Sequence, residues 1–247
     1  MVAWPNGRPA DVPAAAHVFV ERLDDTVELA RDDGHHLQRV RRLRAGESVT
    51  AGDGYGRWRA FLVDTASAGT VRLVATSPIV HEPLLAPRLA VAFALTKGTK
   101  PELVVQKLTE LGVDRIVVVS AARSIARWDA TRAGAAMDRL QRVTREAGAQ
   151  CRRARLPVID GPVAPLELAG HPGLVVAAPD GTGPQDLPLP PDGEWLVAVG
   201  PEGGFDAFEL AAFGTAPHVS LGPFVLRAET AAIASAVALN TRRTRLP

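Results

Sequence analysis

Gly200-Pro201-Glu202-Gly203-Gly204 and Leu221-Gly222-Pro223-Phe224-Val225-Leu226-Arg227-Ala228-Glu229-Thr230 decide how this chain folds. Each stretch follows a short apolar run that reads as a buried strand, Trp195 to Val199 and His218 to Leu221. Each precedes a helical pattern, Asp206 to Phe213 and Glu229 to Asn240. In open α/β sheets, ligands sit outside the carboxyl ends of the strands. Glycine lets backbone approach a ligand closely, and Pro201 stiffens the first turn. The two loops therefore predict one pocket built from main-chain groups, suited to a purine edge or a ribose, with Glu202, Arg227 and Glu229 at its rim. The plainer reading of each loop is a strand-to-helix turn, with Asp206 as one helix cap and Thr230 or Glu229 as the other. Arg227 could simply pair with Glu229. An arginine and a carboxylate beside such a pocket could equally orient and deprotonate a substrate.

Working outward, the pattern from Leu89 onward supports a sheet that carries such loops. Leu89 to Leu95, Ile116 to Val119, Leu174 to Ala178, Trp195 to Val199 and His218 to Leu221 read as strands. They alternate with helical patterns over Pro101 to Leu111, Met137 to Gln150, Asp206 to Phe213 and Glu229 to Asn240. Gly112 is the stop of the first helix. Strands alternating with helices predict an α/β domain with a mostly parallel sheet covered on both faces. The first part of the chain differs. His17 to Val20, Ser48 to Ala51, Trp58 to Val63 and Thr70 to Val74 are short β-rich runs, and Gly34 to Leu43 reads as one short helix. Gly52-Asp53-Gly54-Tyr55-Gly56 is followed by no helix, so it reads as a hairpin rather than a dinucleotide loop. The expected division is a small β-barrel over 1–75, a proline-bearing linker over 76–88 and the α/β domain over 89–247.

Composition narrows the function classes. The chain has 247 residues, of which 47% are hydrophobic, enough for a substantial core. No stretch approaches the roughly 20 apolar residues of a membrane span. Met1 to Ala16 lacks the basic and apolar regions of a secretory signal, and Cys151 is the single cysteine, so a cytoplasmic protein without disulfides is expected. The histidines show no metal-ligand spacing, and no metal is expected. A Gly-Lys-Ser/Thr phosphate loop is absent, which disfavours a nucleotide hydrolase. Net charge is only +1, yet 25 of the 28 basic residues are arginine, and the three lysines, Lys97, Lys100 and Lys107, fall within eleven positions. As compact point charges they suit phosphate contacts.

Several stretches occur together in a telling order. They are Lys97-Gly98-Thr99-Lys100-Pro101-Glu102, then Gln106 to Gly112, then Glu146-Ala147 to Gln150-Cys151-Arg152-Arg153, then the two loops quoted first. Upstream lie His36 to Leu43, Gly46-Glu47 and Asp53-Gly54. This ordered set resembles the RsmE family, the 16S ribosomal RNA uridine N3-methyltransferases of the SPOUT class, over nearly the whole chain. The resemblance implies a PUA-like RNA-binding barrel over 1–75 and a C-terminal SPOUT domain with a trefoil knot. It implies S-adenosylmethionine as cofactor, a homodimer, no membrane association, and 16S rRNA or the small ribosomal subunit as partner. Carried over by position, Ala178, Pro179, Gly200, Pro201, Glu202, Gly203, Gly204, Leu221, Gly222 and Leu226 would bind the cofactor. Main-chain groups around Gly200, Leu221, Gly222 and Leu226 would hold its adenine and ribose.

On that reading Arg227 and Glu229 are the catalytic residues. Arg227 would stabilise negative charge on the uracil oxygens, and Glu229, or alternatively Glu202, would accept the N3 proton. RNA contacts are expected from Arg39, Arg41, Arg42 and Arg44, from Lys97, Lys100 and Lys107, and from Arg152 and Arg153 with the neighbouring arginines Arg139, Arg142, Arg145 and Arg155. A solvated helix face is the alternative for that last group, and Arg242, Arg243 and Arg245 read as a frayed terminus. Trp58 and Tyr55 could stack on a base or fill the hairpin core. Two positions depart from the family pattern: Phe224 replaces a frequent arginine and Ala228 a threonine. Rival readings are a SPOUT enzyme acting on a ribose 2′-hydroxyl or on tRNA, and a non-catalytic RNA-binding module.

Overall fold

Alternate residues of the central strands fall into two separate buried clusters, and that division sets the layers of the larger unit. In β7 (Arg88–Ala94), Leu89, Val91 and Phe93 point to one side and Ala90, Ala92 and Ala94 to the other, all of them buried. β8 (Arg115–Val119) and β11 (Glu194–Val199) repeat the alternation, with Ile116 and Val118 against Val117 and Val119, and Trp195 and Val197 against Leu196 and Ala198. A period of two with both faces apolar is what a doubly covered parallel sheet requires. One face packs against helix residues such as Val104, Leu108, Leu140 and Leu239; the other packs against Leu168, Phe205 and Phe213. Each buried large side chain contributes about 1.5–3 kcal/mol of transfer free energy.

The structure is a computed structural model and describes residues 7–29, 43–67 and 70–243. The helix expected over 34–43, apart from Leu43, and with it Arg39, Arg41 and Arg42, lies outside the described residues.

The chain forms two compact units, 1–83 with 145–156, and 84–144 with 157–247. The first crossing falls within the stretch expected to be a linker. Residues 145–156, expected in the α/β domain, belong to the first unit. The physical reason is visible in their contacts. Arg145 donates to the Phe19 carbonyl at 2.6 Å and stacks over the Phe19 ring, and the Arg152 guanidinium donates to the Val12 and Ala14 carbonyls.

In the smaller unit, β1 (Ala16–Phe19), β2 (Thr26–Leu29), β3 (Ser48–Gly52), β4 (Arg57–Ser67), β5 (Thr70–Ala75) and β6 (Val80–His81) form one sheet. Its order is β1-β3-β4-β5-β2, with β6 also on β4, and all pairings but β1–β3 are antiparallel. The hairpin expected at 52–56 joins β3 to β4, with Gly52 opposite Trp58. Trp58 is fully buried and its indole N–H donates to the Gly7 carbonyl at 2.8 Å.

The larger unit holds β7, β8, β9 (Val158–Val163), β10 (Leu174–Thr182), β11 and β12 (His218–Val219), in the order β12-β10-β11-β7-β8-β9, all parallel. Its helices are α1 (Lys100–Glu110), α2 (Ala130–Cys151, which continues into the smaller unit), α3 (Ala207–Phe213) and α4 (Ala228–Arg243). Pro101 in the first turn of α1 and Gly112 beyond its end, at φ 78°, fix that helix where the sequence placed it.

Of the three arginines expected at a frayed terminus, Arg242 and Arg243 are held in place, and Arg245 lies outside the described residues. Arg243 is buried, bonded to Asp114 at 2.6 Å and to the Pro87 and Gly112 carbonyls. Arg242 lies over the Trp195 ring and donates to the Pro184 carbonyl. Exposure of an arginine cannot be read from its position near a terminus, because the buried acceptor that recruits it lies far away in sequence.

Candidate functional site

The second half of β10 and the loops after β11 and β12 meet near the carboxyl ends of three adjacent parallel strands. Between them lies a cavity of about 450 Å³, within the usual range of small-molecule sites. Its walls include Ala178, Pro179, Gly200, Pro201, Glu202, Gly203, Gly204, Leu221, Gly222 and Leu226. All ten residues expected to bind a cofactor thus line one space.

Local packing explains the first loop. A side chain at Gly200 would come within 3.1–3.3 Å of Phe205 and the Gly204 backbone, so glycine lets the chain fold back on itself without displacing them. Gly204 sits at φ 68°. Asp206 then caps α3 by accepting from the Glu209 N–H at 2.8 Å, while Glu209 accepts from the Asp206 N–H, a reciprocal capping box. Glu209 is buried, and its other oxygen accepts from the Ala122 N–H at 2.7 Å. The adjacent Arg123 donates to the Gly203 carbonyl at 2.9 Å. The loop after β8 therefore braces the loop after β11. Nothing near Arg123 in sequence signals this, since its acceptor lies eighty positions away.

The cavity has an acidic side that sequence reasoning found only in part. Asp180 and Glu202 both line it, and His218 Nδ1 lies 3.5 Å from Asp180 Oδ1. Phe224 and Val225, also on the wall, are 80% and 84% exposed, so the cavity has an apolar, open lip. An arginine at position 224 would have made that lip cationic.

Arg227 and Glu229 stand differently. Neither lines the cavity, whereas Ala228 and Ala231 do. Successive helical residues turn by about 100°, so the face carrying Ala228 and Ala231 directs Glu229 away. Glu229 instead binds Lys100 at the start of α1, Nζ to Oε1 2.9 Å. Burial pushes its carboxyl pKa up. The Lys100 hydrogen bond, its own N–H at the helix start, and the charges of Lys100 and Arg227 more than offset that, holding it below the usual carboxylate value. The second oxygen, Oε2, is buried with no hydrogen-bond partner. Arg227 is exposed.

Residues 84–240 match the family model described as an RNA methyltransferase domain, and residues 29–74 match that of an RNA methyltransferase PUA domain. The chain belongs to the RNA methyltransferase family typified by ribosomal RNA small subunit methyltransferase E. The protein of that name from Mycobacterium bovis is 36% identical over 231 residues, 87% of each chain. Among solved structures, the Legionella pneumophila methyltransferase Lpg2936 in complex with S-adenosylmethionine superposes with a TM-score of 0.82 at 26% identity. That match covers 94% of this chain and 98% of the other. The Neisseria gonorrhoeae ribosomal RNA small subunit methyltransferase E bound to S-adenosylmethionine gives 0.79 at 25% identity, covering 92% and 97%.

Within this family member, the residues expected to touch RNA have varied surroundings. Arg44 and Lys97 are exposed. Lys107 pairs with Glu110 on its own helix, and Lys100 is committed to Glu229. Arg152 has its guanidinium on carbonyls of its own unit, and Arg153 is half-buried. Arg139 pairs with Glu102, while Arg142 is exposed. Sequence alone ranks these cations together; the carboxylates and carbonyls that occupy some of them come from distant parts of the chain.

Proposed function

We propose that this chain methylates N3 of a uridine in the 16S rRNA of the small ribosomal subunit, using S-adenosylmethionine, and that it acts as a homodimer. The observation that carries the reading is the convergence of these ten residues, from β10 and from the loops after β11 and β12, on one cavity. The chemistry of that wall fits the cofactor. Main-chain groups of the glycine-bearing loops suit an adenosine, and the carboxylates of Asp180 and Glu202 suit a sulfonium and an ammonium. When bound, the cofactor supplies an activated methyl group.

What remains for the protein is to orient the uracil and manage its N3 proton. Arg227 is assigned to the negative charge that builds on the uracil oxygens as the proton leaves. For the proton itself, geometry favours Glu202 over Glu229. Glu202 is exposed on the cavity wall. Glu229 lies off the wall, paired with Lys100 and held in its ionised form, which makes it a weak acceptor. Glu229 then acts as a positioning residue, fixing Lys100 and the start of α4 beside Arg227. The trefoil knot implied by the sequence resemblance and the homodimer belong to the same reading.

The deciding experiment incubates the protein with labelled cofactor and small ribosomal subunits that lack the mark, followed by nucleoside mass spectrometry. N3-methyluridine is the expected product. A methylated ribose, or cofactor binding without any transfer, would refute the assignment.

A further inference from the structure

The hairpin between β3 and β4 carries the chain's single tyrosine, Tyr55, and that ring is 79% exposed. Large aromatic side chains are ordinarily well buried. A floppy loop would explain the exposure, but this tip is held from several sides. The Asp53 carboxylate accepts from the Tyr55 N–H at 2.7 Å, the Arg57 N–H at 3.1 Å and Arg57 Nε at 2.6 Å. Burial raises the Asp53 carboxyl pKa, and those donors more than reverse it, so Asp53 stays ionised and the turn stays tied. Gly54 and Gly56, at φ 83° and 101°, let the chain turn sharply on both sides of Tyr55.

A second strand of chain clamps the tip from beneath. The Gly56 N–H donates to the Ala154 carbonyl at 3.2 Å, the Leu156 N–H to the Gly54 carbonyl at 2.9 Å, and the Glu82 N–H to the Gly56 carbonyl at 2.7 Å. The Arg155 N–H donates to Glu82 at 2.8 Å. The Arg155 guanidinium fills the space that a side chain at Gly56 would need. An exposed ring therefore stands on a tied backbone turn that also carries Arg57 and is packed against Arg155.

We propose that Tyr55 is a stacking platform for one unpaired base of the RNA substrate, with Arg57 and Arg155 beside it for the adjoining phosphates. The inference rests on the RNA-methyltransferase reading above. Three features favour an unpaired nucleotide over a protein surface. The tip offers one ring amid Asp53, glycines and arginine, without the contiguous apolar area that a protein interface core needs. The Arg57 side chain is 54% exposed even though its Nε is paired with Asp53, and a guanidinium so presented is complementary to phosphate. Base–aromatic stacking requires only one correctly presented ring, and unpaired bases are the ones free to use it.

The test uses the full chain as wild type, Tyr55→Ala and Tyr55→Phe. Binding is measured to a fluorescein-labelled single-stranded RNA of mixed sequence, to the same strand annealed to its complement, and to small ribosomal subunits. Tyr55→Ala should bind the single strand about tenfold more weakly. Its duplex affinity and the slope of affinity against salt should be unchanged, since no phosphate contact is removed. Tyr55→Phe should keep wild-type affinity. An unchanged single-strand affinity in Tyr55→Ala overturns the proposal, as does an equal loss on single strand and duplex. A loss confined to subunits, with naked RNA unaffected, also overturns it and points to a ribosomal protein. Failure here with normal methyl transfer leaves the proposed function standing; Tyr55-dependent binding without methyl transfer does the reverse.

Discussion

Lys100 Nζ lies 2.9 Å from Glu229 Oε1 and joins the first turn of α1 to the first turn of α4. Because Glu229 Oε2 is buried without a partner, Lys100 is the side chain that keeps this carboxylate compensated. The Glu229 pKa in the folded protein lies below its ordinary value of 4.5. A depressed carboxylate contributes stability that is fully present above the unfolded-state pKa and is lost as pH falls through the folded-state pKa. Lys100→Met should therefore destabilise the protein at neutral pH, and the difference from wild type should shrink once pH drops below 4.5. Urea denaturation across a pH series measures this. A difference that does not vary with pH would show that the pair is not the cause.

The same pair separates two carboxylates by role. If Glu202 accepts the proton, Glu202→Gln should lower kcat for methyl transfer by about 10²-fold or more. Glu229→Gln should cost less, and Lys100→Met should resemble it, because both disturb position rather than proton transfer. Steady-state kinetics on unmodified small subunits distinguish the cases. Near-normal turnover in Glu202→Gln, with a severe loss in Glu229→Gln, would reverse the assignment.

Arg123 meets the cavity at the ends of β10, β11 and β12 only through the backbone it holds, donating to the Gly203 carbonyl at 2.9 Å and to the Phe205 carbonyl at 3.5 Å. Arg123→Ala should loosen the 200–204 loop without removing any wall residue. One lost hydrogen bond of this kind corresponds to about a threefold to tenfold weaker cofactor affinity. Calorimetric titration with S-adenosylmethionine reads it directly. Unchanged affinity would mean that the loop holds its shape through Glu209 and the α3 cap alone.

How much of this was open to inspection in the sequence depends on the range of the forces involved. The strands of the larger unit were legible because Leu89, Val91 and Phe93 alternate with alanines, and burial on both faces leaves that mark on contiguous residues. The wall of the cavity was legible because close backbone approach favours glycine, as at Gly200. β9 was missed because Asp160-Gly161-Pro162 interrupts its apolar run, although its pairing with β8 shifts register to absorb them. Two arginines were misjudged for a different reason. Arg152 and Arg243 look solvated until the carbonyls of Val12, Ala14, Pro87 and Gly112 are brought to them by folding. Glu229 sat in the right stretch, but helical phase, not sequence proximity, decides which way it faces.

His17 gives the smaller unit an acid-sensitive point. It is buried on β1, its Nδ1 lies 2.9 Å from Thr50 Oγ1, and Nε2 has no partner. Burial first, then the nearby Arg152 charge, lowers its pKa from 6.5 to about 3, despite an opposing backbone hydrogen bond. Because the folded form stays neutral while the unfolded chain takes up a proton, stability should fall by about 1.4 kcal/mol per pH unit below 6.5, down to about 3. His17→Leu should remove that slope. Across this range the stability difference between the two proteins should shift steadily in favour of His17→Leu as pH falls, and stop shifting near neutral pH, where His17 is uncharged in both states; parallel curves would rule out His17 as the cause.

Arg243 closes α4 onto the sheet through a group of partners that cannot be replaced singly. Its Nη1 binds Asp114 Oδ2 at 2.6 Å, and the same carboxylate oxygen accepts from the Leu89 N–H at 2.9 Å. Both side chains are almost wholly buried, with exposures of 0% and 9%. Removing one ion from a buried pair strands the other, at a cost of about 3–5 kcal/mol, whereas removing both costs far less. Arg243→Met should thus be strongly destabilising, while Arg243→Met with Asp114→Asn should recover much of the loss, the Asn oxygen still able to accept from Leu89. A double-mutant cycle in urea measures the coupling. Strict additivity of the two single losses would mean that Arg243 holds α4 through the Pro87 and Gly112 carbonyls, with Asp114 a separate support for β7.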